Sequence, residues 1–149
     1  MSVTEGGVKQ LAVSLVAADR KVWTGTAAMV IARTTEGDVG VMPGHQPILS
    51  ILLPSVVTVR GASGGGDLAV VVSGGFLSVE GGTVSVLAES VLLAEEIDEA
   101  GAEALLRSAR EIEHSASSSE SQIEQAEADV RFAEAQLRVA RGGVPGSGH

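Results

Sequence analysis

Glu36, Asp38 and His45 form the densest group of proton-transferring side chains in this sequence, all within the stretch Glu36-Gly-Asp-Val-Gly-Val-Met-Pro-Gly-His-Gln-Pro47. Two carboxylates and an imidazole are the raw material of acid–base catalysis. No nucleophile accompanies them, however, and His45 stands between Pro43 and Pro47. Those two rings fix φ and stiffen the backbone, so the stretch reads as a rigid projecting turn suited to docking. Gly64-Gly65-Gly66 could suggest a phosphate cradle. It lacks the Lys-Ser/Thr and the strand-to-helix setting of a P-loop, and reads as a flexible hairpin connection. His45, His114 and His149 share no ligand spacing, and Glu111–His114 lacks the second histidine a zinc helix needs. The absence of cysteine removes disulfides, thiolate nucleophiles and Cys-ligated zinc together. An enzyme reading would rest on His45 and its nearby acids alone. The residues favour a non-catalytic binding protein with no cofactor and no metal.

The elements that carry these residues are of two kinds. Up to about Glu89 the pattern is that of strands. Leu11, Val13 and Leu15 alternate with Ala12, Ser14 and Val16, and β-rich runs follow at Ala28–Ala32, Val39–Met42, Ser55–Arg60, Leu68–Val72, Phe76–Val79 and Val84–Leu87. Gly and Pro recur at short intervals between them, which predicts a sandwich or barrel. Gly81-Gly82 predicts a tight hairpin, because glycine accepts φ > 0. Gly74-Gly75 predicts a bulge or a close backbone approach.

From Asp98, an N-cap residue type, the pattern becomes helical. One helix is expected through Glu113 and a second from about Glu120 to Arg141, with a bend at Ser115–Ser119 and a stop at Gly142-Gly143. The second carries a heptad seam of Ile123, Ala126, Val130, Ala133, Leu137 and Ala140. The first offers Ile97, Ala104, Leu105, Ala109 and Ile112 to it, so the pair is expected as an antiparallel hairpin. The expected division is residues 1–89 as a β-sandwich, 90–141 as the hairpin and 142–149 as a disordered tail. So thin a seam predicts a hairpin able to rearrange or to dock on something larger.

Charge divides at the same place. Residues before Glu89 hold six acidic and five basic side chains, and those from Glu89 onward hold thirteen and five, within a total of −9. An acidic surface is a poor partner for nucleic acid or anionic lipid and a better one for a basic protein patch. The longest apolar stretch, Ile48–Val59, is interrupted and too short to span a bilayer, and Met1–Gln10 shows no signal-peptide pattern. Any membrane association is expected to be indirect.

Gly40-Val-Met-Pro-Gly-His-Gln-Pro47 resembles the loop GI-x-PGH-x-P of the epsilon subunit of F-type, proton-translocating ATP synthases of bacterial type. Ser73-Gly-Gly-Phe-Leu-Ser-Val79, Thr83-Val-Ser-Val-Leu-Ala88 and Ile97-Asp-Glu-Ala100 are similar to further blocks of that family, in the same order. The serine run and Ala135-Gln-Leu-Arg-Val139 are similar to its hairpin bend and second helix, so the likeness covers about Leu11 to Ala140. The resemblance implies a sandwich of about ten strands followed by a helical hairpin. It implies a rotor subunit of the central stalk, bound to the gamma subunit and the c-ring and coupling ring rotation to ATP synthesis, peripheral on the cytoplasmic face of the cell membrane. It implies contacts to gamma and the c-ring from Glu36, Asp38, Met42, Pro43, His45 and Pro47. It further implies a hairpin that can inhibit hydrolysis at the catalytic alpha and beta subunits, through Arg107, Arg110, Arg131, Arg138 and Arg141. Some bacterial members bind ATP with an Ile/Leu-Asp-x-x-Arg-Ala motif. Here Ile97, Asp98 and Ala102 stand in place but the arginine position is Gly101, which removes the charge-assisted bonds of a phosphate clamp and predicts weak or absent ATP binding. The alternative on the residues alone is a free-standing β-sandwich binding module whose helical tail drives oligomerisation.

Overall fold

The computed structural model describes residues 3–5 and 8–142, with side chains from Lys9 onward. Among the described residues eleven strands precede two α-helices. They are β1 (Val3–Glu5), β2 (Val8–Ala17), β3 (Arg20–Ala27), β4 (Met29–Thr34), β5 (Gly37–Val41), β6 (Ile48–Leu52), β7 (Ser55–Arg60), β8 (Leu68–Val72), β9 (Gly75–Glu80), β10 (Thr83–Ala88) and β11 (Val91–Leu93). The helices are α1 (Glu99–Glu113) and α2 (Glu120–Ala140), so the expected sandwich followed by a helical hairpin is what the chain forms. The tail from residue 143, assigned to disorder from sequence, lies outside the described residues.

One layer runs β3-β2-β10-β9-β6 and the other β5-β4-β7-β8-β11, joined where Thr34 pairs with Leu52, while β1 extends the N-terminal end of β2. β2 and β10 are parallel, which brings the start and the end of the sandwich sequence into register from Ala12–Thr83 to Ala17–Ala88. Between the layers, Leu11, Val13, Leu15, Leu77, Val79, Val84 and Val86 face Val30, Ala32, Val57, Val59, Val70 and Val72. None of the three aromatic residues sits in this core as a fully buried side chain: Trp23 flanks it, Phe132 belongs to α2, and Phe76 is on the surface.

Two turns act as the glycine pattern predicts. Gly81 and Gly82 adopt φ +58° and +84° and close β9 onto β10. Gly75, at φ +132°, lies so close to the Leu87 carbonyl that any Cβ would collide with it. This is the close approach the sequence suggested.

The sandwich does not end at Glu89. Val91–Leu93 forms β11, paired with β8, because the short apolar run still has an open strand edge to complete. Strands β3, β6 and β11 were not legible as separate units. β6 lies in the first half of the interrupted apolar stretch Ile48–Val59, outside the separate run Ser55–Arg60, and β3 carries Arg20, Lys21 and polar threonines on an edge.

The hairpin seam also differs in detail. α1 buries Ala102 and Ala109, while Ala104 and Ile112 are exposed. α2 buries Ala126, Ala133 and Leu137 from the expected seam and leaves Ala140 exposed. It also buries Ala135, Gln136 and Val139. Ala135 and Val139 belong to a second cluster with Val56 and Val71 on the outer face of β7 and β8. One helix therefore presents two faces: one toward α1 and one toward the sheet. With helix on one side and core on the other, Val56, Val57, Thr58 and Val59 are all buried, which erases the alternation expected of a half-exposed strand.

Candidate interaction surface

The docking residues inferred from sequence do not form one loop. Glu36 sits in the β4–β5 turn and Asp38 in β5, while Met42, Pro43, His45 and Pro47 lie beyond the other end of β5. The Asp38 carboxylate accepts from Arg33 Nε at 2.8 Å and Nη2 at 3.4 Å. This pairing holds the carboxyl below the usual carboxylate range. Thr34 donates its hydroxyl to the Gly37 carbonyl and accepts from the Glu36 amide, which fixes the turn. At the far end, the His45 amide donates to the Met42 carbonyl at 3.0 Å, closing a tight turn around Pro43-Gly44. His45 Nδ1 lies 2.7 Å from the Gln46 carbonyl oxygen. Asp38 is thus paired with Arg33 and His45 with its own turn, at opposite ends of a five-residue strand, and they make no acid–base constellation with Glu36. Met42 is half-exposed at the tip.

Sequence reasoning missed a larger feature on the same layer. Ile51 on β6 is paired with Phe76 on β9, which is paired with Leu87 on β10, which is paired with Val16 on β2. Neighbouring strands lie about 4.8 Å apart, so four apolar side chains form a row across the outer face. Ile51, Phe76 and Leu87 are 54%, 51% and 53% exposed, and Leu49 beside them on β6 is 75% exposed. Phe76 faces outward because Leu77 and Val79, its neighbours of opposite parity, fill the core. A row of exposed large apolar side chains marks an interaction surface. The cue in the sequence was Phe76 standing outside the inward set of β9, but alternation alone does not show that its cross-strand neighbours are apolar too.

The hairpin arginines divide as well. Arg110 pairs with Glu134 at 3.0 Å, and Arg141 with Glu99 at 3.0 Å and Glu103 at 2.8 Å. These two are engaged within the hairpin. Arg107, Arg131 and Arg138 are exposed and form no ion pair among the described residues. Arg131 and Arg138 border a cavity of about 60 Å³ together with Arg33, Pro54 and Ser55. At the start of α1, Asp98 accepts the Gly101 amide at 3.2 Å as N-cap, Ile97 packs into the α2–sheet cluster, and Ala102 is buried. These residues are occupied in building the helix start. Among the described residues no helix is long and apolar enough to cross a membrane, and no group of three or more potential metal ligands is assembled.

The architecture is a two-layer β-sandwich with an exposed apolar row, a projecting proline turn and an appended helical hairpin. Residues 10–94 match the family of the ATP synthase delta/epsilon chain, beta-sandwich domain, and the chain belongs to that family. It is 52% identical over 101 residues to the ATP synthase epsilon chain of Streptomyces coelicolor, covering 68% of this chain and 81% of the relative. It is 45% identical over 104 residues to the epsilon chain of Corynebacterium urealyticum, covering 70% and 84%. The fold is similar to a chain of the Euglena gracilis mitochondrial ATP synthase in an assembly of OSCP, F1 and c-ring, with TM-score 0.73, 29% identity, and 89% and 81% of the two chains covered. A chain of the Tetrahymena thermophila ATP synthase central stalk and c-ring shares the fold alone, with TM-score 0.59 and 14% identity over 87% and 96%.

Proposed function

We propose that this chain is a non-catalytic rotor subunit of a proton-translocating ATP synthase, joining a gamma-type shaft to a c-ring and coupling ring rotation to ATP synthesis. The family match across the whole sandwich carries this reading. The exposed row Val16–Leu87–Phe76–Ile51 supplies an apolar face for the shaft, and the Met42–Pro47 turn a stiff projection for the ring. Glu36 and Asp38 extend the contact at the other end of β5. The subunit is held at the cytoplasmic face of the cell membrane through the complex and not by a span of its own.

The hairpin is the regulatory part, able to restrain ATP hydrolysis at the alpha and beta subunits. Arg107, Arg131 and Arg138 are the hairpin arginines with no carboxylate partner among the described residues, whereas Arg110 and Arg141 must first leave Glu134, Glu99 and Glu103. ATP does not control it: position 101 holds glycine, and its amide is already bonded to Asp98. Calorimetric titration returning micromolar ATP affinity would overturn that last point.

The test of the assembly reading is copurification. The chain should associate stoichiometrically with gamma, and Phe76→Asp should abolish the association while leaving the sandwich folded. Truncation after Glu96 tests the hairpin. It keeps β11 and the Arg20–Glu96 ion pair, which a cut at Glu89 would remove. Raised hydrolysis with synthesis retained supports restraint by the hairpin; unchanged hydrolysis rejects it.

A further inference from the structure

Arg131 and Arg138 are seven residues apart on α2, so both lie on one face of the helix. Glu127 and Glu134 precede them by four residues, the spacing and order at which a carboxylate and a guanidinium ordinarily meet on a helix. Neither pair forms. Glu134 is bonded to Arg110 at 3.0 Å, and Arg131 and Arg138 have no carboxylate partner among the described residues. Both arginines instead line a cavity of about 60 Å³ between α2 and the sheet, together with Arg33 of β4 and Ser55 of β7. Arg33, Ser55 and Arg138 also line a second cavity of about 60 Å³, which Asp38 borders, so the two adjoin. The carboxylates at these cavities are already committed, Asp38 to Arg33 and Glu134 to Arg110. Four guanidiniums, of Arg33, Arg110, Arg131 and Arg138, thus stand against two carboxylates, which leaves +2 at this spot in a chain whose total is −9.

The donors suit an oxyanion. A guanidinium has five N–H donors, and its planar fork matches phosphate oxygens two at a time. Arg33 gives Nε and Nη2 to Asp38 at 2.8 and 3.4 Å, which leaves Nη1 for a second acceptor. Arg131 and Arg138 bring their forks from the helix side. The volume selects a small ligand: about 60 Å³ holds a compact group of a few water-sized atoms and not a nucleoside. No aromatic side chain lines either cavity, so nothing there stacks on a base. The place also differs from the ATP motif of the resemblance. The cavities lie against β4 and β7, whereas Ile97-Asp98 follow β11, two strands beyond β7 in the same layer.

We propose that Arg33, Arg131 and Arg138 form a site for a small tetrahedral oxyanion, free phosphate, held between the sheet and α2. The net +2 of the cluster matches a doubly ionised phosphate. The arginines are exposed, so the attraction is screened by salt and the affinity falls as ionic strength rises. The site rests on side chains of this chain alone and is independent of the rotor reading.

The test is calorimetric titration of the full-length protein with sodium phosphate, at an ionic strength held constant with sodium chloride. Saturable one-site binding is expected, and sulfate should compete for it. Arg131→Gln and Arg138→Gln should each weaken phosphate binding about tenfold or more. Both side chains are exposed, so these variants keep the apolar packing, and unchanged circular dichroism checks that they do. Arg107→Gln removes an exposed guanidinium that lines neither cavity and should leave the affinity unchanged. Asp38→Asn frees Arg33 of its competing carboxylate and should tighten binding several-fold. ATP should bind no more tightly than phosphate. Several results overturn the proposal: no saturable heat beyond that of chloride, an equal loss in Arg107→Gln, weaker binding in Asp38→Asn, or ATP binding more than tenfold tighter than phosphate. Failure to copurify with gamma would overturn the rotor reading and leave these affinities untouched.

Discussion

The sandwich and the hairpin are made from similar apolar residues yet are held in different ways. In the sandwich, Leu and Val from two layers interdigitate under a nearly complete strand ladder, so each buried side chain has neighbours from several strands. In the hairpin, alanines let two helices approach and exposed ion pairs brace them, and Val56, Val71, Ala135 and Val139, flanked by Ala69, Leu92, Ile97 and Phe132, attach the pair to the sheet. Close-packed interiors lose stability for every missing methylene. Exposed ion pairs are screened by water and salt and contribute little each. The two regions therefore differ in how much interdigitated apolar packing holds them.

Mutations can break or sharpen this contrast. The largest effect is expected at Gly75→Ala: a Cβ at φ +132° meets the Leu87 carbonyl, so β9 and β10 must separate. Denaturant unfolding should show a loss of at least about 3 kcal/mol. Leu77→Ala, which opens a void at a fully buried site in the same strand, should cost about 3 kcal/mol. Ala135→Asp puts a charge into the four-residue seam. It should release the hairpin while the unfolding midpoint of the sandwich moves little, with helical circular dichroism largely kept; loss of both together would show the two parts to be one cooperative unit.

The smallest effect concerns pH. The Arg20 guanidinium, and then the Leu93 amide, hold the Glu96 carboxyl below its ordinary value. Its contribution is therefore complete above the usual glutamate pKa of about 4.3 and is lost as pH falls through the lowered folded value. An NMR titration should place the Glu96 midpoint below that of a free glutamate, and Arg20→Gln should bring it back up.

Much of this architecture is legible in the residues. β7 and β8 have the bounds their apolar runs predict, Gly81-Gly82 makes the predicted hairpin, and the serine run separates the two helices. These are local facts: period, turn chemistry and capping act over a few neighbours. What sequence reading misjudged depends on partners distant in the chain. β11 exists because β8, some twenty residues earlier, offers it an edge. Ala135 and Val139 look like ordinary helix residues until Val56 and Val71 are found beneath them.

The candidate site divides along the same line. The stiffness of Met42–Pro47 and the loss of arginine at position 101 could be read from the chain alone, because each follows from what one residue type can do. That Asp38 is committed to Arg33 is a matter of strand pairing. That Ile51, Phe76, Leu87 and Val16 form one apolar row is a matter of register between β6, β9, β10 and β2. Register is settled by which faces the whole molecule buries, and a shift of one residue would turn the row inward. The sequence by itself determined the kinds of element, the turns between them and the acidic character of the hairpin. Only the tertiary structure decided which apolar side chains stay in water and which arginines keep a free charge, because both depend on what lies opposite in space.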